Sequence, residues 1–304
     1  MKADIIRKHF IMKSDSYTVR VWKLFSPIFI YFGISLLVTI IYIIFTSGNL
    51  LSLYNSGGKE SLDAASKAYY ERYQRDALYV TGIINLLCIP LLMYMYMKDA
   101  RRIIVPEPVS SPIGYAVLAV LGVSATIFLN FFLDLTGMIK LLGGTYENSA
   151  RRIYSAPFIV QIIVAAVLGP AMEELLFRGL IFKRMRTYAI VPLAVLVSAI
   201  FFGLYHLNLL QFIYAGLLGL IFAYTYEKFH SIIACIIVHG CGNGISVVLQ
   251  NNDGMSYMLA GDKTRIIITT VVTGILTLIC LMVVARIKDK PVRDKQEVFT
   301  EETL

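Results

Sequence analysis

The chain has 304 residues, of which 57% are hydrophobic and 16% are charged, and its net charge is +8. Soluble domains average about 45–50% apolar and about 25% charged residues, so the composition excludes an ordinary soluble globular protein. The positive charge does not indicate nucleic-acid binding, because Lys and Arg lie between and beyond long apolar runs, as they do beside membrane spans. We therefore predict one membrane domain with short tails and no nucleic-acid partner.

Eight apolar runs are predicted as transmembrane helices, at about 20 residues per crossing. They cover residues 25–46, 78–97, 113–135, 157–180, 190–207, 209–226, 231–249 and 266–286. The fifth and sixth almost meet at Asn208, which predicts a tight helical hairpin or a partly re-entrant segment. The first run exceeds the about 7–15 apolar residues of a signal peptide, so we expect it to remain as a span. The predicted fold class is an all-α, polytopic membrane protein with a polar cavity inside the membrane.

The distribution of basic residues predicts the orientation. If the N-terminus is cytoplasmic, the segments on the cytoplasmic side of the predicted spans hold 19 of the 28 Lys and Arg residues, and the segments on the other side hold 9. Because cytoplasmic loops carry the excess of positive charge, both termini are expected in the cytoplasm. The predicted location is the cytoplasmic membrane.

Segments outside the spans, and the cysteines, carry little chemical information. We expect residues 47–77 to be a polar, partly helical, solvated connector, and residues 288–304 to be a disordered tail. The four cysteines lie within apolar runs and form no C-x-x-C pair, so neither a disulfide framework nor a structural zinc site is predicted.

The first polar motif inside an apolar run is "GPAMEELLFRG". Pro170 predicts a helix restart that would place Glu173 and Glu174 in the first turns, where the helix dipole stabilises carboxylates. Glu174 and Arg178 are four residues apart and share a helix face, whereas Glu173 has no such partner. Such a carboxylate suits a general base. The alternative is a structural Glu–Arg cluster near the membrane boundary, which explains Glu173 poorly.

Two further motifs contribute imidazoles. Phe202 and His206 are four residues apart, so the phenyl ring could form one wall of a pocket; taken alone, a histidine at the end of a span is more often an interfacial or satisfied histidine. His239 and Asn243 share a face of the seventh run, where interleaved glycines allow close helix contact. Asn243 could fix the tautomer of His239 or donate to an oxyanion, or the pair could be a polar clamp between helices.

Together the three motifs resemble the family of CAAX prenyl proteases and bacteriocin-processing enzymes, whose pattern is E-E-x-x-x-R, F-x-x-x-H and H-x-x-x-N or H-x-x-x-D. The resemblance covers roughly residues 157–250, which we predict to be the catalytic core. The remaining regions are then a basic cytoplasmic segment (1–24), three helices with their loops (25–156), an outer loop with the eighth helix (251–287) and a cytoplasmic tail (288–304).

The resemblance implies an eight-helix intramembrane endopeptidase acting on a membrane-associated, lipidated or leader-type peptide. Glu173 would activate a water molecule and His206 would help to orient it, while His239 and Asn243 would stabilise the oxyanion. Glu174 and Arg178 would support them. If a divalent metal such as zinc takes part, Glu173, His206 and His239 would be its ligands. The chain lacks H-E-x-x-H, and a mechanism without metal is favoured.

The predicted span ends conflict with a shared site, because they place Glu173 near one membrane face and His206 near the other. We predict that the fourth helix continues to about Arg184, which moves Glu173 to mid-membrane. Two other functions stay open: a non-catalytic immunity or accessory protein, and a proton- or cation-coupled transporter with the same buried carboxylates.

Overall fold

The structure is a computed structural model that describes residues 16–101, 103, 106–109, 111–252, 254 and 263–287. Of residues 49–62 and 145–149 it describes the backbone alone. All regular elements within these ranges are helical, which confirms the all-α prediction. Most of the predicted N-terminal segment, residues 1–15, and the predicted tail 288–304 lie outside the described residues.

The described helices account for the eight predicted spans. They are α1 (Tyr17–Ala100), α2 (Pro112–Leu135), α3 (Met138–Leu142), α4 (Tyr146–Tyr154), α5 (Phe158–Met185), α6 (Val191–Tyr205), α7 (Leu209–Phe229), α8 (Ile232–Asn251) and α9 (Lys263–Ala285). Seven stretches within the described residues are long and apolar enough to cross a membrane: two arms of α1, and α2, α5, α7, α8 and α9. The eighth, α6, is apolar but shorter. The chain is a multi-pass integral membrane protein.

Helix α1 folds back on itself. The Tyr42 hydroxyl donates to the Asp76 carboxylate at 3.0 Å, and the Tyr42 and Tyr73 rings lie 6.0 Å apart. A straight helix would separate Tyr42 from Asp76 by about 50 Å at about 1.5 Å per residue. The arms Tyr17–Gly48 and Asp63–Ala100 are therefore antiparallel.

The polar segment 47–77 has helical backbone on both sides of the reversal, so it is more helical than the partly helical connector that was predicted. From Lys59 onward the segment is rich in Ala, Glu, Lys, Arg and Gln, which have high helix propensity and sustain the helix without an apolar surface.

The long helices run between two ends of the molecule. At the termini end, where α1 begins and α9 ends, the Tyr115 hydroxyl bonds to Ser231 and joins α2 to α8. At the hairpin end, where α1 reverses direction, the Asn251 amide donates to Gln161 at 2.8 Å and joins α8 to α5. These names for the two ends are used below.

The lengths of α5 and α6 remove the conflict between the predicted span ends. Helix α5 extends to Met185, which confirms the predicted extension, and Glu173 lies near the middle of this helix. Helix α6 has 15 residues and is about 22 Å long, less than the about 30 Å hydrocarbon core. Its last residue, Tyr205, packs on Tyr31 with ring centroids 5.0 Å apart, near the middle of the first arm of α1. His206, the next residue, therefore lies at mid-depth.

Glycines let α8 approach its neighbours closely, as predicted. A Cβ atom on Gly242 would lie 2.4 Å from the Thr126 hydroxyl oxygen of α2, and one on Gly122 would lie 2.0 Å from the Val238 carbonyl oxygen. Neither position accepts a side chain without separating α2 from α8. This contact fixes the face of α8 that carries His239.

Candidate active site

Helix α5 carries both glutamates on a short α-helical stretch, Gly169–Glu174, between two π-helical stretches, Ile162–Leu168 and Leu175–Phe182. The Gly169 N–H bonds to the Val164 carbonyl, five residues back. The predicted helix restart at Pro170 is therefore wrong, because the wide π turn accommodates the proline within a continuous helix. No free helix N-terminus lies beside the glutamates, so their partners come from side chains.

Glu174 is held by two donors. Its Oε1 accepts hydrogen bonds from Arg178 Nη1 at 2.9 Å and from His239 Nδ1 at 2.8 Å, and its side chain is fully buried. The predicted Glu174–Arg178 pair is thus confirmed as a contact. The expectation that Asn243 would fix the tautomer of His239 is wrong, because Glu174 on another helix accepts the Nδ1 proton.

Arg178 is one of the largest fully buried side chains among the described residues. Its Nη2 donates to the Gly219 carbonyl of α7 at 3.0 Å, and its Cζ lies 4.5 Å from the ring centroid of Phe202 and 5.2 Å from that of Phe222. A buried guanidinium needs such ionic and π partners to offset the loss of hydration. Arg178 therefore ties α5 to α6 and α7.

Glu173 has the opposite environment. Its side chain is 16% exposed, and its Oε2 lies 3.6 Å from His239 Nε2, which is too long for a hydrogen bond. Because His239 donates from Nδ1 to Glu174, the Nε2 of the neutral ring is an acceptor that faces another acceptor. A proton on Nε2, or a water molecule donating to both atoms, would relieve this contact.

Both histidines contact the ring of Phe202. The Phe202 ring makes edge contacts with His206 at 5.1 Å and with His239 at 5.6 Å between centroids. The His206 Nδ1 lies 2.8 Å from the Phe202 carbonyl, so Nδ1 donates and Nε2 is left as an acceptor. Phe222 stacks on His239 at 4.7 Å and restricts that ring as well.

Asn243 lies one helical turn from His239 and is tied to α5. Its Nδ2 donates to the Ala165 carbonyl at 2.8 Å, within the first π-helical stretch. Since an amide nitrogen carries two hydrogens, a second donor on Asn243 remains for another acceptor.

These groups share one cavity of about 600 Å³. Its lining includes Glu173, Phe202, His206, His239 and Asn243. The predicted convergence of the fourth, fifth and seventh spans, now α5, α6 and α8, is therefore present. Glu174 and Arg178 do not line the cavity and lie behind it.

Sequence reasoning missed polar groups that the second arm of α1 contributes. Asn85 lines the cavity with 1% of its surface exposed, and its Oδ1 has no hydrogen-bond partner among the described residues. The signal was present, because Asn85 is an amide within the apolar run "TGIINLLCIP". Tyr205, adjacent to His206, also lines the cavity.

A metal site fits the arrangement poorly. A catalytic zinc site needs three protein ligands, and within the described ranges no three His, Cys, Asp or Glu side chains come close enough to hold an ion. Glu173 and His239 offer two donor atoms at the cavity. His206 does not join them as the third ligand in this arrangement.

Comparison with known proteins identifies the segment that carries these motifs. Residues 155–245 match the family model described as type II CAAX prenyl endopeptidase Rce1-like. A stretch of 99 residues is 29% identical to YdiL, a candidate membrane peptidase of Bacillus subtilis (strain 168). That alignment covers 33% of this chain and 41% of YdiL. No solved structure is significantly similar to the chain.

Proposed function

We propose that this chain is an intramembrane endopeptidase that uses Glu173 as its general base, because residues 155–245 match a family model of CAAX prenyl endopeptidases. The observation that carries the proposal is the 3.6 Å approach of Glu173 to His239 at the wall of a cavity within the helix bundle. A carboxylate left without a salt-bridge partner on its own helix, beside an oriented imidazole, is suited to proton transfer.

In the proposed reaction, Glu173 takes a proton from a water molecule while the oxygen of that water attacks the scissile carbonyl carbon. His206 Nε2 accepts a hydrogen bond from the other O–H of that water and orients it, while this hydrogen stays on the attacking oxygen. The carbonyl π electrons move onto oxygen, the C–N bond then breaks, and Glu173 passes its proton to the leaving amine. The products are a carboxylic acid and an amine, so the water is fully accounted for.

The charges around Glu173 supply the oxyanion stabilisation. With His239 protonated, Glu173, Glu174, Arg178 and His239 carry two negative and two positive charges and are neutral together. Proton transfer to Glu173 leaves the group with one net positive charge as the oxyanion forms. His239 Nε2–H and the second Asn243 N–H would donate to that oxygen.

The proposed substrate is a peptide that is associated with the membrane. Apolar side chains such as Leu78, Ile84, Phe131 and Leu218 form part of the cavity wall together with the amides of Asn85 and Asn243. An extended peptide could place its apolar side chains against the former and its backbone against the latter. Leader and signalling peptides, bacteriocins and lipidated peptides all have this chemistry.

The test is a comparison of membrane-peptide profiles from cells that express wild type, Glu173→Gln or His239→Ala. We expect the same precursor to accumulate uncleaved with both variants, while both proteins remain folded in the membrane. Glu71→Gln, at an exposed position of α1, is the matched control and should leave the profile unchanged. Identical profiles for wild type and both site variants would refute the enzymatic function and favour a binding or accessory role.

The proposed chemistry uses no metal ion, because the donor set falls short of three ligands. Turnover of the accumulated precursor should therefore survive prolonged treatment with a chelator such as EDTA or phenanthroline. Loss of turnover that zinc alone restores would contradict this part of the proposal and leave Glu173 as a ligand.

A further inference from the structure

The site is closed toward the termini end. Every residue from Glu174 to Arg186 is buried, so this half of α5 leaves no channel beside it. In contrast, Glu173 and several residues in the preceding half of α5 are partly exposed. The boundary between the two halves falls between the adjacent glutamates.

Two ion pairs reinforce this closure. Arg184 Nε donates to the Asp99 carboxylate at 2.6 Å, and another nitrogen of Arg184 donates to the Lys23 carbonyl. Arg186 makes a bidentate pair with Glu227 at 2.8 and 2.9 Å. Together these contacts join α5 to both arms of α1 and to α7 at the termini end.

The cavity runs in the other direction. Beyond Glu173 it is lined by Ala150, Arg152, Tyr73 and Gln250, which lie on α4, on the second arm of α1 and near the end of α8. All of these positions belong to the hairpin end, and Gln250 is exposed there. A molecule entering along this lining reaches Glu173 from the hairpin end.

The distribution of charge assigns a compartment to each end. Of the 19 Lys and Arg residues that the sequence assigns to the side of the termini, Arg178 lies inside α5, which leaves 18 on that side and 9 on the opposite side. The positive-inside rule therefore directs the termini end to the cytoplasm. The hairpin end, with the cavity entrance, then faces away from it.

From these observations we propose that the cavity admits peptides from the extracytoplasmic side of the membrane. The inference rests on the proposed function only in treating the entering peptide as a substrate. The position of the cavity entrance does not depend on catalysis. An entrance on this side narrows the substrate class proposed above. The substrates are exported or translocated segments, such as released leader or signalling peptides, whose scissile bond lies near the outer surface. A lipidated C-terminus that is made and kept in the cytoplasm would meet the closed end.

The test uses cysteine accessibility in a variant whose four native cysteines are replaced. Ser246 lines the cavity and lies outside the proposed catalytic groups, so Ser246→Cys reports on its interior. Thr136 and Ala100 are exposed at the hairpin end and the termini end, and Thr136→Cys and Ala100→Cys are the matched controls. A charged, membrane-impermeant maleimide is applied to intact cells and to inside-out vesicles.

We expect Ser246→Cys to react in intact cells together with Thr136→Cys, and Ala100→Cys to react in inside-out vesicles alone. Reaction of Ser246→Cys from the same side as Ala100→Cys would overturn the proposal, and so would a failure of Ser246→Cys to react from either side. Reaction of Thr136→Cys from the cytoplasmic side would overturn the assigned orientation. Since labelling requires no turnover, these results are independent of whether Glu173→Gln abolishes proteolysis.

Discussion

The half of the bundle toward the termini end and the half toward the hairpin end differ in how their buried charged side chains are paired. Toward the termini end, Glu174, Arg178, Arg184 and Arg186 are buried, and each has a partner of opposite charge. Toward the hairpin end, the carboxylate of Glu173 faces a cavity with no hydrogen bond from the imidazole beside it. The hydrogen-bonded ion pairs give one half a fixed geometry, while the carboxylate of Glu173 lines the cavity and can exchange protons with a bound molecule.

Glu174→Gln should cause the largest loss of stability, because it leaves the buried Arg178 without a counter-charge. Removing one partner of a buried pair costs about 3–5 kcal/mol. We expect a lower thermal unfolding midpoint for the purified protein in detergent. Glu173→Gln is the matched control, one residue away, and should change the midpoint little while abolishing cleavage. Equal destabilisation by the two substitutions would remove the distinction between the two halves.

Arg186→Met should have the next largest effect and should separate stability from activity. The substitution removes two charge-assisted hydrogen bonds to Glu227, for which about 1.5–3 kcal/mol is expected. Cleavage at a permissive temperature should persist, because Arg186 is remote from the cavity lining. Lys98→Met, at an exposed position of the same end, is the control. A specific loss of cleavage would show that the closed half also takes part in the reaction.

Gly219→Ala tests how strictly the closed half positions the cavity. An added Cβ would lie 3.1 Å from both Ala199 Cα and Phe202 Cδ1 and 3.2 Å from Arg178 Nη2. Overpacking of this kind costs about 1–3 kcal/mol, and here it would also displace the phenyl ring that contacts both histidines. We expect reduced cleavage in membranes. Gly216→Ala, whose Cβ would meet nothing closer than 3.9 Å, should behave as wild type.

Asn85→Leu should have the smallest effect on stability and a distinct effect on cleavage. The buried Oδ1 has no partner in the described structure, so an apolar side chain should leave the free energy of unfolding unchanged or raise it by about 1 kcal/mol. Cleavage should fall if the amide binds the peptide backbone. For comparison, Asn130→Leu breaks bonds to the Thr126 carbonyl and the Tyr214 hydroxyl and should destabilise the protein. Full cleavage by Asn85→Leu would exclude a substrate role.

Local spacing made much of the site predictable. Residues four apart on a helix share a face, so Glu174 with Arg178 and Phe202 with His206 could be paired from the sequence. Contacts between helices distant in sequence could not, and the bond from His239 to Glu174 belongs to this class. Asn85 did have a signal, an amide within an apolar run, but its span carries no motif that would connect it to the site. The extent of helix in 47–77 was underestimated, because a polar segment has no diagnostic apolar periodicity.

The wide turns that flank the glutamates limit how this site could be transferred to another scaffold. A π turn acts as one extra residue in the helical register, and one residue corresponds to about 100° of rotation. If the segment "EELLFR" were grafted onto a regular α-helix, the carboxylates and the guanidinium would point in directions other than those described above. A designer would have to copy residues 162–182 as a unit, including both irregular stretches, to reproduce the geometry.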